Sequence, residues 1–349
     1  MGSSEERDVA AASRPMRMGD LVCRIYPAVS SLFLLSYVSS IIIGIYVFFF
    51  TSEGAEFSSK LLTQLAFYVF YYTKLSLPGP FTAGWLFLLL SALFTIAFAV
   101  AALSNVRYSE SAKGLFRTKG SNGVFSNFLM GMPAICSAAF VSFSLIHLLE
   151  ENVGVPVGGI VFPDPFQEIL FTSYAAFIEE VSFRLVPIAF PIAVYLLFQS
   201  AVKISNMRRR DRLAVVFLAL FKPESFSRRM GLGRDRGLTN LKVLLVLVSS
   251  IIFAYAHVAS GAWESGKVAT TFIGGLIFGY CCLRYGWESS LLVHWYFNTY
   301  WSILSYASTL SASFAALYDV SFLMALYMGF ASLLAFGIML LSKIAAWRR

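Results

Sequence analysis

The stretch FIEEVSFR, residues 177–184, sets Glu179, Glu180 and Arg184 between two apolar runs, FTSYAA before and LVPIAFPIAVYLLF after. At the centre of a bilayer each such charge costs roughly 2.5–3.5 kcal/mol. Three of them within one membrane helix are therefore paired or used. Residues four apart on a helix share a face, and neighbours diverge by about 100°. Glu180 and Arg184 can thus stack and neutralise one another, whereas Glu179 points elsewhere and has no local partner.

The surroundings make the membrane reading general. Of 349 residues, 58% are hydrophobic and 13% charged, against about 25% charged in a soluble domain. Apolar runs fall near 27–50, 81–103, 124–149, 168–201, 243–258, 267–284, 289–308 and 320–343. The pattern predicts an all-α, polytopic membrane protein with about eight transmembrane helices plus interfacial helices. Residues 1–26 read as a polar cytoplasmic segment and 27–349 as a single membrane domain. The first run, Pro27 to Phe50, is too long for a signal-peptide core and is retained as a span. Glu6 occupies the position where N-myristoylation requires Ser or Thr.

Loop charge sets the orientation. The 104–123 loop carries Arg107, Lys113, Arg117 and Lys119 against Glu110, whereas 150–166 carries Glu150, Glu151 and Asp164 with no basic residue. The 203–242 loop holds eleven basic residues against three acidic ones, a surplus equal to the formal net charge of +8. By the positive-inside rule the basic loops and both termini are cytoplasmic, the C-terminal Lys343, Arg348 and Arg349 agreeing. The basicity is thus topological: it implies contact with anionic lipid of the bilayer and no nucleic-acid partner. Whether the membrane is the plasma membrane or the endoplasmic reticulum is not distinguished. LAVVFLALF, 213–221, is too short to span and is expected in the interface, as is 61–80, read as an external interfacial helix.

Among the polar groups inside apolar runs are His257, one turn after Phe253, and His294, one turn before Asn298. In lipid such groups are stable where they converge. A carboxylate and an imidazole can hold and deprotonate a water, and a second imidazole with an amide can stabilise an oxyanion. That set suffices for amide hydrolysis. Neither G-x-S-x-G nor H-E-x-x-H occurs, which disfavours a serine elbow and the usual zinc-protease helix. Zinc stays open as an alternative, because Glu179, His257 and His294 are all legitimate ligands. Cys23, Cys136, Cys281 and Cys282 form no C-x-x-C pair and read as small apolar side chains. His147 reads as an interfacial hydrogen-bonding residue, and Gly274, Gly275 and Gly279 as a close-packing face.

E-E-x-x-x-R at 179–184, F-x-x-x-H at 253–257 and H-x-x-x-N at 294–298, in that order on separate hydrophobic segments, resemble the CPBP family of intramembrane proteases, the CAAX proteases and bacteriocin-processing enzymes. The resemblance covers roughly residues 125–310. It implies an eight-helix fold like that of the type II CAAX prenyl endopeptidases, and a glutamate-dependent mechanism with no metal or other cofactor. On that pattern Glu179 is the general base, working with His257 on the water, while His294 and Asn298 form the oxyanion site. Glu180, Arg184 and Phe253 fill the remaining motif positions as supporting residues. The implied partner is a membrane-associated or lipidated peptide, possible substrates including prenylated CAAX tails. A non-proteolytic scaffold of the same fold and a proton-coupled transporter are the competing functions.

The depth of Glu179 poses a problem. A straight helix over 168–201 leaves it about 33 Å from the inner face, out of reach of His294. Pro187 and Pro191 suggest that the span ends near Val186, with 188–202 along the inner interface and a site open to the cytoplasm.

Overall fold

In the computed structural model the described residues are 18–347 without Phe70, Pro78, Asn105, 118–123 and Arg234. Residues 1–17, Lys119, Arg234, Arg348, Arg349 and the Cys23 side chain, all used above, lie outside them.

The chain is a multi-pass helical membrane protein. Helix α1 (Met18–Phe50) is followed by the short α2 (Ser52–Ser58), a two-stranded hairpin of β1 (Gln64–Val69) and β2 (Tyr71–Ser76), and α3 (Ala83–Ala102). Next come α4 (Tyr108–Arg117), α5 (Phe128–Asn152) and α6 (Pro165–Glu180), which passes through a π-helical stretch (Val181–Ala189) into α7 (Phe190–Gln199). The basic segment folds into α8 (Ala201–Ser205), α9 (Arg209–Phe221) and α10 (Pro223–Arg229). Then α11 (Arg236–Ala259), α12 (Lys267–Tyr285) and α13 (Trp287–Trp295) lead through a second π-helical stretch (Tyr296–Tyr300) into α14 (Trp301–Ser308) and α15 (Ala312–Trp347). Large apolar side chains such as Leu35, Phe198 and Leu334 are exposed on the outside of this bundle, which is where lipid lies in a membrane protein.

Among the described residues, seven helices are long and apolar enough to cross a membrane, one fewer than the eight expected. The missing one is 289–308, whose helical path is divided among α13, the second π-helical stretch and α14, none long enough alone. It is also the most enclosed: Ser289 to Tyr296 are all buried.

Two other expectations are corrected. Residues 61–80 form no interfacial helix: β1 and β2 pair antiparallel from Gln64–Ser76 to Val69–Tyr71. Both faces of this run are rich in apolar side chains, so no alternation of polar and apolar marks it as strand. Nor does the helix stop near Val186, for α6 and α7 form one path from Pro165 to Gln199, 35 residues long. A proline ring blocks the carbonyl four residues before it, here that of Phe183. That carbonyl accepts instead from the Ser249 hydroxyl on α11, and the wider π turn accommodates the ring. The same proline thus ties this path to the helix carrying His257.

The basic segment has a small apolar core of its own. Val215 and Ala219 of α9 and Phe226 of α10 pack on Ile188, Ile192 and Leu196, while Leu213 and Phe217 on the other side of α9 are exposed. Lys222 reaches Glu288 in the first turn of α13 at 2.6 Å, fixing the start of the helix that carries His294. Between α12 and α13, Gly286 has φ +125°, a conformation open to glycine and strained for other residues. Cys136, Cys281 and Cys282 are free and buried.

The small-residue face does bring helices together, with α12 approaching α11 at Gly275. A Cβ there would lie 2.9 Å from the Ser250 side chain and 3.0 Å from its Cα. Backbone cannot yield as a side-chain tip does, so Gly275→Val is expected to destabilise the protein by about 1–3 kcal/mol through overpacking. Thermal unfolding in detergent reads this as a lowered midpoint; Gly274→Ala, whose Cβ would meet Phe143 at 3.6 Å, serves as the mild control.

Candidate active site

The site grows from the end of α6, where Glu179 and Glu180 leave the helix in different directions, as neighbours must. Asp164 caps the start of α6, accepting from the Phe166 N–H at 2.8 Å, and Pro165 occupies its first turn. The Glu180 and Arg184 side chains, 0% and 1% exposed, form an ion pair at 3.6 Å. None of the three guanidinium nitrogens has a hydrogen-bond acceptor among the described residues. The group is instead stacked over the rings of Phe253 at 4.1 Å and Phe278 at 4.9 Å. Rings with a negative face attract a desolvated guanidinium.

Glu180 does more than neutralise Arg184. It meets Nδ1 of His294 at 2.8 Å through Oε1 and accepts from the Ser290 hydroxyl through Oε2. Its backbone carbonyl accepts from Trp287 Nε1 at 3.2 Å. The other nitrogen of the same ring, His294 Nε2, faces Glu179 Oε2 at 3.3 Å. One imidazole therefore sits between the carboxylates of two adjacent residues, its face stacked on Phe278 with centroids 4.6 Å apart. The Nδ1 contact is a hydrogen bond, whereas Nε2 approaches Glu179 Oε2 without forming one.

Phe253 joins the second histidine to the cluster. Its ring meets His257 edge-on at 4.6 Å and lies 6.2 Å from His294. His257 Nδ1 is 2.9 Å from the Phe253 carbonyl, which fixes that nitrogen as the donor and leaves Nε2 as an acceptor. Among the described residues Nε2 makes no hydrogen bond. The structure thus gathers Glu179, Glu180, Arg184, Phe253 and His294, with His257 at the edge of the cluster. Asn298 lies in the second π-helical stretch, half-buried. Its side-chain amide makes no hydrogen bond among the described residues.

Two further residues of the cluster stand outside the sequence motifs. Ser290 stands four residues before His294, on the same helical face, a spacing that could have pointed to it. Tyr68 of β1 donates to Glu179 Oε1 at 3.4 Å, across 111 positions and from a strand the sequence pattern concealed. Its carbonyl accepts from the Ser182 hydroxyl, and that of Ala66 from Tyr174 at 2.5 Å, so β1 is laid along α6 down to the level of Glu179. At the other end of the bundle side chains, Lys60 meets the capping Asp164 at 3.8 Å, and Leu61 bridges Thr82, rooting the hairpin.

No curated protein and no solved structure matches the chain. Residues 162–300 match a family model, that of the type II CAAX prenyl endopeptidases described as Rce1-like. That segment contains both carboxylates, Arg184, Phe253, both histidines and Asn298, and leaves the hairpin outside. By this match the site-bearing segment, residues 162–300, is similar to the Rce1-like type II CAAX prenyl endopeptidases.

Proposed function

We propose that the protein is a glutamate-dependent intramembrane endopeptidase acting on prenylated, CAAX-type tails. The observation that carries this reading is Glu179, a carboxylate in an apolar bundle with His294 on one oxygen and Tyr68 on the other. A carboxylate kept there against its desolvation cost is a functional group by default.

The chemistry is general-base hydrolysis. Water held between Glu179 and the acceptor Nε2 of His257 gives a proton to the carboxylate as its oxygen adds to the scissile carbonyl carbon. The carbonyl electrons become an oxyanion, for which the uncommitted amide of Asn298 is the donor. Collapse breaks the C–N bond, and Glu179 returns the proton to the leaving amine. His294, held at Nδ1 by Glu180 and facing Glu179 through Nε2, is placed in this reading to orient Glu179 and to share the oxyanion role with Asn298. Glu180, Ser290 and Arg184 hold His294 in turn.

Among the described residues no three His, Cys, Asp or Glu side chains gather as a metal-ligating group; metal independence is part of the proposal and is tested with it. Purified protein in liposomes is given an S-farnesylated peptide ending in Cys-aliphatic-aliphatic-Ser, and release of the C-terminal tripeptide is followed by mass spectrometry. Release unaffected by a strong chelator is the expected result. Absence of release overturns the substrate class, and release abolished by chelator and restored by zinc overturns the mechanism. The basic end of the bundle and both termini are assigned to the cytoplasm, which protease protection of a C-terminal tag tests.

A further inference from the structure

Tyr68 is the fifth residue of β1 and lies outside the matched segment, residues 162–300. Two hydroxyls of the α6 path hold its strand beside Glu179. Tyr174, five residues before Glu179, donates to the Ala66 carbonyl at 2.5 Å, and Ser182, three residues after it, donates to the carbonyl of Tyr68 itself. Along the helix axis these tethers stand about 7 Å before the carboxylate residue and about 4 Å after it. The backbone of Tyr68 is thereby fixed at the level of Glu179, and its half-buried side chain brings the hydroxyl to Glu179 Oε1 at 3.4 Å.

The two oxygens of Glu179 differ in consequence. Oε1 accepts from Tyr68, whereas Oε2 is buried, faces His294 Nε2 at 3.3 Å and makes no hydrogen bond among the described residues. The last torsion of a glutamate is broad and roughly two-fold, so a carboxylate without a donor turns and exchanges its oxygens. A donor on one of them fixes the plane and keeps the lone pairs of the other in one direction. The type of donor matters as well. A lysine or arginine in this place would form an ion pair and favour the charged carboxylate, weakening it as a base. A phenol orients the group without a counter-charge.

We propose that Tyr68 is a positioning residue for the general base: by holding Oε1 it leaves Oε2 as the oxygen that takes the proton of the attacking water. This rests on the endopeptidase reading, which makes Glu179 the base. The water's proton passes to Oε2 and from there to the leaving amine, while Tyr68 keeps its own proton throughout. The hairpin, a part of this chain beyond the matched segment, thus belongs to the catalytic apparatus.

Tyr68→Phe keeps the ring and the strand and removes the hydroxyl alone. With the S-farnesylated peptide in liposomes, its kcat is expected to fall roughly tenfold, the low end for a hydrogen bond to a charged group, with KM and the unfolding midpoint unchanged. Because Tyr68 acts through Glu179, adding Tyr68→Phe to Glu179→Gln is expected to change the residual turnover less than twofold. Ser182→Ala, which frees the Tyr68 carbonyl, is expected to lower kcat by a smaller factor, and to have no effect once Tyr68 is Phe. Cleavage by Tyr68→Phe within twofold of wild type overturns the positioning role and leaves the endopeptidase reading standing. So does a tenfold loss repeated in the Glu179→Gln background, which would put the hydroxyl on the substrate, or a raised KM or lowered midpoint with kcat intact, which would make Tyr68 a packing residue. Absence of cleavage by wild type overturns the endopeptidase reading and the role of Tyr68 with it.

Discussion

Glu179→Gln is expected to lower kcat by about 10²- to 10⁴-fold, the range set by loss of a positioned general base. KM is expected to change little, since glutamine has the shape of the carboxylate and keeps one oxygen as acceptor for His294 Nε2. The Tyr68 hydroxyl, 3.4 Å from the other oxygen, can accept from the new amide. The fold is therefore conserved, and an unchanged unfolding midpoint beside collapsed turnover assigns the loss to chemistry. Glu179→Asp retains a base but withdraws it by one methylene, and displacements near 1 Å cost on the order of 10²-fold. Its turnover should fall between wild type and Glu179→Gln. Turnover by Glu179→Gln within tenfold of wild type would place the base elsewhere.

The second large effect is on stability. Glu180→Ala leaves Arg184, 1% exposed, without its counter-charge, and strips the Ser290 hydroxyl and His294 Nδ1 of their partner. Breaking a buried pair on one side costs about 3–5 kcal/mol. Loss of monodisperse protein, or a much lowered unfolding midpoint in detergent, is the expected measurement. The pair variant separates burial from positioning. Glu180→Leu with Arg184→Met removes both charges, and a thioether sits well between the rings of Phe253 and Phe278. Its stability is expected to recover while turnover stays lost, because His294 has no carboxylate left at Nδ1. Full turnover in that double variant would reduce Glu180 to a structural counter-ion.

How much of this was legible depends on how local each signal is. The Glu180–Arg184 pair follows from four-residue spacing alone, and the structure contains it. The meeting of α6, α11 and α13 around His294 was legible from the cost of polar groups in lipid, although that argument names no contacts. In the sequence Glu180 reads as a counter-ion to Arg184 because the spacing displays that partner, while His294 lies 114 positions away. Pro187 reads as a helix end in the sequence because its sterics are local, whereas the carbonyl it leaves without a donor finds the Ser249 hydroxyl only in the folded bundle. The hairpin was hidden for a different reason. In water a strand announces itself by alternating polarity, but here both faces of Leu65 to Val69 are apolar and the period vanishes.

The single imidazole held between Glu179 and Glu180 also acts as a gauge of assembly. The two carboxylates are fixed to one helix one residue apart, and the ring is a rigid spacer fixed to another. Sliding one helix past the other by a single residue moves the grip by about 1.5 Å and turns it by about 100°, releasing both nitrogens at once. A misdocked molecule therefore leaves Glu179 without its imidazole and Glu180 with Arg184 alone, a state above the native one. On the proposed mechanism, correct docking and a competent base become a single event, and a half-assembled protein is also an inactive one.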